Sequence, residues 1–308
     1  MQGLEEARKL YERYGVDMIE RLFPNWAGRI AAGLVGHGSE CFGFDDELSR
    51  DHDFPEGFCL WVDDETDRAI GVQLARAYRA LPFQKAKERS ALSETSRGVR
   101  RISDFYSRYT GCAGAPENDM QWLNLPSHAL AESTNGAVFR DDQGLFSSIR
   151  ETLLHGMPED VRLKKLAGQL LIMGQSGQYN YLRCLAHGET AAAQLAVVEF
   201  VQSAMAAVFL LNDVYQPYYK WSFRALRALP KLSITAELSE YLLTTDNEEK
   251  TRGEKYEVME GIAADVIEEL QEQGLTRAVC GDLEKHAYSV NDRISDAQVR
   301  NMHVLAAV

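Results

Sequence analysis

Positive charge is scarce in this chain of 308 residues: 33 lysines and arginines stand against 46 aspartates and glutamates, a formal net charge of -13. A deficit of that size disfavours broad attraction to a nucleic-acid backbone or an anionic membrane, so a small partner molecule is expected rather than an extended polynucleotide. Cysteine is sparse as well. Cys41, Cys59, Cys112, Cys184 and Cys280 are odd in number, contain no Cys-x-x-Cys pair and have no histidine cluster to join. That pattern argues against a zinc site and predicts a reducing, cytoplasmic setting, with Cys41 a packing residue. The N-terminus, Met1-Gln2-Gly3-Leu4-Glu5-Glu6, lacks the basic-then-apolar plan of a secretory signal. Uninterrupted apolar runs are missing too: residues 190–211 are long enough to cross a bilayer, but Gln194, Glu199, Gln202 and Ser203 break them and the flanks carry no Lys/Arg bias. A buried central helix is the prediction there, with Glu199 expected to pair with Lys220 or Arg183 in preference to serving as the base for an acceptor. Repeats and low-complexity tracts are absent.

What is present suffices for a substantial core: 45% of residues are apolar, enough for one or two domains. Residues 33–62 hold the chemistry. Gly33-Leu34-Val35 and Phe58-Cys59-Leu60-Trp61-Val62 have the composition of short buried strands. Between them, Gly36, Gly38 and Gly43 let the backbone turn tightly and approach a ligand, while Ser39 adds a hydroxyl and N–H groups suited to phosphate oxygens. Asp51 and Asp53 follow, one residue apart, so in an extended segment they share a face, with His52 on the other. Two carboxylates that close call for a cation, and oxygen-only donors favour Mg²⁺, whose shell is completed by waters and phosphates. The run Asp45-Asp46-Glu47 is expected to be solvated and is given no role.

Helical spacing places Leu4, Ala7, Leu10, Tyr11 and Tyr14 on one helix ended by Gly15, and Met18, Ile19, Leu22 and Phe23 on a second closed by Pro24. Another amphipathic helix is predicted over residues 67–81, a third strand over 98–102 and a last strand at Ala137-Val138-Phe139, behind the turn signal Asn135-Gly136. Past residue 147 the pattern is helical throughout. Pro158-Glu159-Asp160 marks a helix start there.

The order Gly38-Ser39, loop, Asp51-His52-Asp53 resembles the Gly-Ser plus Asp-x-Asp signature of the DNA polymerase beta-like nucleotidyltransferase superfamily. The longer wording, continued through residues 136–142, 158–165 and 217–221, resembles a group of bacterial proteins described as DUF4037 domain-containing. The resemblance implies an α/β (α+β) protein: a nucleotidyltransferase-like mixed sheet with helices over residues 1–150, then an all-helical bundle over residues 151–308. It also implies residue roles. Gly38 and Ser39 would cradle the phosphates, and Asp51 and Asp53 would be catalytic and metal-binding. Superfamily members commonly carry a third carboxylate on a strand, as a metal ligand or as the base for the acceptor hydroxyl. Arg100 occupies a position where that acid is expected, which leaves Asp104, Asp119 and Glu132 as substitutes. A lysine on the triphosphate maps to Lys164 or Lys165, of which one can face the cleft; two solvated lysines is the other reading. Tyr179, Arg183 and Lys220 are further cofactor-side candidates, and residues 215–221 are either an acceptor wall or a packed corner.

The function implied is Mg²⁺-dependent transfer of a nucleoside monophosphate, AMP from ATP, to a small-molecule acceptor with release of pyrophosphate. Two other classes stay open: a catalytically inactive nucleotide-binding or regulatory module, and a toxin-like enzyme modifying tRNA or protein.

Overall fold

The computed structural model describes residues 2–46, 56–85 and 97–308. The chain divides into two compact units, Met1–Glu117 with Ala129–Gly156, and Asn118–His128 with Met157–Val308.

In the first unit, α1 (Gln2–Leu10) and α2 (Val16–Leu22) are joined through a π-helical turn over Tyr11–Gly15. Gly15 therefore does not stop the helix. It serves close approach: a Cβ there would lie 2.6 Å from the Tyr11 ring and 2.9 Å from Phe58. Strand β1 (Ile30–Leu34) follows, then the short helix α3 (Ser39–Phe42), then β2 (Cys59–Val62) antiparallel to β1. Helix α4 (Asp64–Arg79) is the crossover that lets β3 (Gly98–Arg101) lie parallel to β2. It begins earlier than periodicity predicts because Asp63 caps it, accepting the Thr66 N–H at 2.8 Å. Next come α5 (Ile102–Thr110), α6 (Asp119–Leu123) in the second unit, and α7 (Ser127–Thr134), whose chain re-enters the first unit at Ala129. Strand β4 (Ala137–Arg140) pairs antiparallel with the free edge of β1, and α8 (Leu145–His155) completes the unit. The mixed sheet runs β3-β2-β1-β4.

Alternation sorts its two faces. Ile30, Ala32, Leu60 and Val62 join Tyr11, Met18, Ile19, Ile70 and Leu74 in one apolar cluster. On the opposite face Trp61 stacks on Phe146 at 4.0 Å and meets Phe105 edge-on at 5.6 Å. Asp45 is not merely solvated: its Oδ2 accepts the Gly3 N–H at 3.0 Å and so caps α1.

The second unit is helical in every described element apart from its connections. Helix α9 (Glu159–Met173) continues through a π-helical turn over Gly174–Asn180 into α10 (Tyr181–Ala186). Helix α11 (Thr190–Leu211) is its centre, burying Val197, Phe200, Val201, Ala204 and Val208 against α9, α10 and two later helices, α13 and α14. Those are preceded by α12 (Tyr219–Leu226); α13 spans Thr235–Thr244 and α14 Arg252–Glu272, then come α15 (Leu283–Asn291) and α16 (Ala297–Asn301). Residues 190–211 are thus the core helix that their interruptions predict. Glu199 is exposed and, among the described residues, pairs with neither Lys220 nor Arg183. Those cations lie over rings instead, Arg183 at 4.8 Å from the Tyr179 centroid and Lys220 at 4.9 Å from that of Trp221.

Candidate functional site

The chain leaves β1 at Leu34 and turns through Gly36 and Gly38 before α3 begins at Ser39. Gly36 has φ of 122° and Gly38 φ of 132°, a region that side chains rarely adopt. A Cβ on Gly38 would also lie 2.6 Å from the Glu40 carboxylate. This loop is gripped from the far end of α7. The Gly36 N–H donates to Asn135 Oδ1 at 2.8 Å, and Asn135 Nδ2 donates back to the Gly36 carbonyl at 2.8 Å. One residue on, the Gly136 N–H donates to the Cys41 carbonyl at 2.8 Å. Gly136 must be glycine: its φ is 63° and a Cβ would sit 1.9 Å from the Leu34 carbonyl oxygen.

Beyond Gly36 the loop's donors are open. Among the described residues, the backbone N–H groups of His37, Gly38 and Ser39 find no acceptor. Consecutive N–H groups in such a turn form an anion-accepting concavity. The flanks are charged. His37 Nδ1 and Glu132 Oε1 are 3.2 Å apart, and that bond raises the imidazole pKa against the opposing effects of burial and Arg108. Glu40, buried next to Ser39, receives Arg97 Nη2 at 2.7 Å, while Arg97 Nη1 donates to the Gly57 carbonyl at 2.8 Å. One guanidinium thereby ties the start of α3 to the approach to β2. Burial pushes the Cys41 thiol well up, as befits a packing residue rather than a nucleophile.

Of the residues expected at the site, the first unit brings Gly38, Ser39 and Glu132 together. Asp51 and Asp53 lie outside the described residues. Among the described residues no group of three His, Cys, Asp or Glu side chains is arranged to hold a metal. Asp104 is exposed on α5 and taken up by Arg101, with bonds of 2.7 and 2.8 Å. Asp119 opens α6 in the second unit, and Arg100 pairs with Trp61 across β3 and β2.

The two lysines part company. Lys164 is fully buried and commits its Nζ to Asn291 Oδ1 at 2.8 Å and to the carbonyls of Arg300 at 3.2 Å and Met302 at 2.7 Å. Lys165 donates to the carbonyls of Leu123 at 2.8 Å and Leu125 at 3.1 Å, and burial lowers its pKa to about 8. Tyr179 and Lys220 belong to the second unit, with Arg183. Residues 215–221 are in part a packed corner: Ser222 Oγ donates to the Pro217 carbonyl at 2.8 Å, while the Tyr218 and Tyr219 rings stand exposed, 4.3 Å apart.

Sequence reasoning missed the roles of Asn135 and His37. Asn135-Gly136 was legible as a turn, which it is, but nothing local reveals that its amide grips a loop 99 residues away.

No curated protein and no solved structure matches the chain. Residues 122–222, which include Glu132, Asn135 and Gly136 of the glycine-loop grip, match the model of the DUF4037 family, described as a domain of unknown function, and that is the family the chain resembles.

Proposed function

We propose that the first unit is a nucleotidyltransferase domain that transfers a nucleoside monophosphate, AMP from ATP, to a hydroxyl or phosphate of a small acceptor. One observation carries the reading: three consecutive loop N–H groups without acceptors among the described residues, on a loop held at Gly36, precede Asp51 and Asp53 along the chain. Backbone donors of this kind suit the oxygens of a polyphosphate. The donor set Asp51 and Asp53 suits Mg²⁺, which when bound neutralises phosphate charge and polarises the phosphoryl oxygens. His37, turned toward Glu132, adds a titratable nitrogen beside the loop.

A second reading, nucleotide binding without turnover, is favoured by β3. It presents Arg100 where the superfamily carries an acid, and the nearby Asp104 is engaged by Arg101. Positioning and charge stabilisation supply most of the acceleration in phosphoryl-type transfer, so a missing acid removes turnover before it removes binding.

The test incubates the purified protein with Mg²⁺, each labelled nucleoside triphosphate and a metabolite extract, and follows pyrophosphate. Extract-dependent release that disappears in Asp51→Ala/Asp53→Ala supports transfer. Metal-dependent binding without release supports the second reading, and absence of both sinks the two together.

A further inference from the structure

We propose that Asn135 is the positioning residue of the glycine loop: its carboxamide fixes the peptides on both sides of Gly36, so that the N–H groups of His37, Gly38 and Ser39 stay available to a polyphosphate. The proposal rests on the phosphate-binding reading above and adds to it the element that presets the loop.

The geometry is that of a backbone surrogate. Oδ1 accepts from the Gly36 N–H and Nδ2 donates to the Gly36 carbonyl, both at 2.8 Å, as an opposing β-strand residue would do. Both peptide groups of Gly36 are thereby held while its φ stays at 122°. An unsupported glycine at that position would sample a wide range of φ and take the following N–H groups with it.

Asn135 is itself anchored. Arg150 Nη2 donates to its carbonyl at 3.4 Å, and the adjoining Gly136 is locked by its bond to Cys41 and by close packing on the Leu34 carbonyl. The amide is thus presented from a fixed base. Preorganised donors bind an anion without the entropic cost of assembling the loop first.

The role separates from fold maintenance. Strands β1 and β4 pair through their own backbones, Gly33 with Val138 and Leu34 with Ala137, so the sheet does not depend on the Asn135 side chain. Loss of the carboxamide should therefore loosen the loop and leave the unit folded. Because the donors are backbone N–H groups, they read the phosphate chain and not the base.

The experiment uses the full-length protein with Asn135→Ala and Asn135→Asp. Hydrogen exchange at the Gly36 amide reports the grip, and calorimetric titration with Mg²⁺·ATP and with inorganic tripolyphosphate reports its consequence. For Asn135→Ala the expectation is faster exchange at Gly36, at least about tenfold weaker binding of both probes, as for the loss of about one hydrogen bond, and a circular dichroism spectrum unchanged from wild type. Asn135→Asp keeps Oδ1 but turns a second acceptor toward the Gly36 carbonyl and adds a negative charge beside the loop, so it should exchange faster at Gly36 and bind both probes no better than Asn135→Ala; its exchange rate carries the test if the alanine variant does not fold. Wild-type affinity for both probes in both variants overturns the proposal while leaving the phosphate reading intact. A wild-type protein that binds neither probe overturns the phosphate reading, and this proposal with it.

Discussion

Lys164 offers the sharpest stability test. Lys164→Met keeps most of the side chain's bulk and removes the ammonium group, so Asn291 Oδ1 and the Met302 carbonyl lose their lysine donor while the Arg300 carbonyl keeps only Asn291 Nδ2 at 3.2 Å. Each stranded acceptor costs about 1–3 kcal/mol if it stays buried. Two effects reduce the sum. The two carbonyls regain water if residues 297–308 loosen, and Lys164, which has no counter-ion among the described residues, is desolvated, so its removal relieves a penalty that already lowers its pKa. Lost acceptor bonds should still win, because three bonds to a cation disappear while Asn291 Nδ2 keeps only its bond of 3.2 Å to the Arg300 carbonyl. The net expectation is a loss of about 2–4 kcal/mol, or roughly 5–15 °C in the melting temperature of the second unit. Calorimetry checks the magnitude, and limited proteolysis should show earlier cleavage after residue 296. A melting temperature within about 2 °C of wild type, with no new cleavage, would refute the reasoning.

Two further predictions follow from burial. Lys165 has an ordinary pKa of 10.5 when exposed and one near 8 in the fold, so between those values the unfolded chain binds more protons than the native one. Its contribution to stability should therefore rise as pH increases from about 8 to 10.5; Lys165→Met should flatten that rise, and Lys165 should acylate ahead of the other lysines at pH 8. For the buried Glu40–Arg97 pair, Arg97→Met leaves a carboxylate uncompensated and should cost about 3–5 kcal/mol. Adding Glu40→Leu should restore much of it, and a double-mutant cycle showing additivity instead would mean that the two side chains do not act as a pair.

The parts of the fold that follow from local chemistry were legible. Aromatic and branched residues at Phe58 to Val62 announce β2, and the apolar length of residues 190–211 with its polar interruptions announces the core helix α11. What periodicity cannot register is a contact between distant side chain and backbone. Asn135 meets Gly36 across 99 residues and Lys164 meets Asn291 across 127, and neither leaves a mark in its own neighbourhood. Lys164 and Lys165 are adjacent in sequence and alike in chemistry, yet one is an internal strut and the other a half-open amine, because a helix turns successive residues to different faces. Gly15 misled for a related reason. Glycine ends helices when it supplies a left-handed turn, but at Gly15 it makes room for a ring.

The edge position of β4 has a consequence for synthesis on the ribosome. Strand β1 is apolar and buried along its whole length, Ile30 to Leu34, and until residues 137–140 emerge only β2 is available to pair with it. For that interval a nascent first unit presents an open, sticky strand edge, the kind of template that invites pairing with another chain. The second unit's first segment, residues 118–128, is made during the same wait and must remain unassembled until α9 follows. Vectorial folding of this protein is therefore interleaved: neither unit can close before synthesis has moved into the other, and chaperone dependence should peak in nascent chains that end between residues 117 and 137.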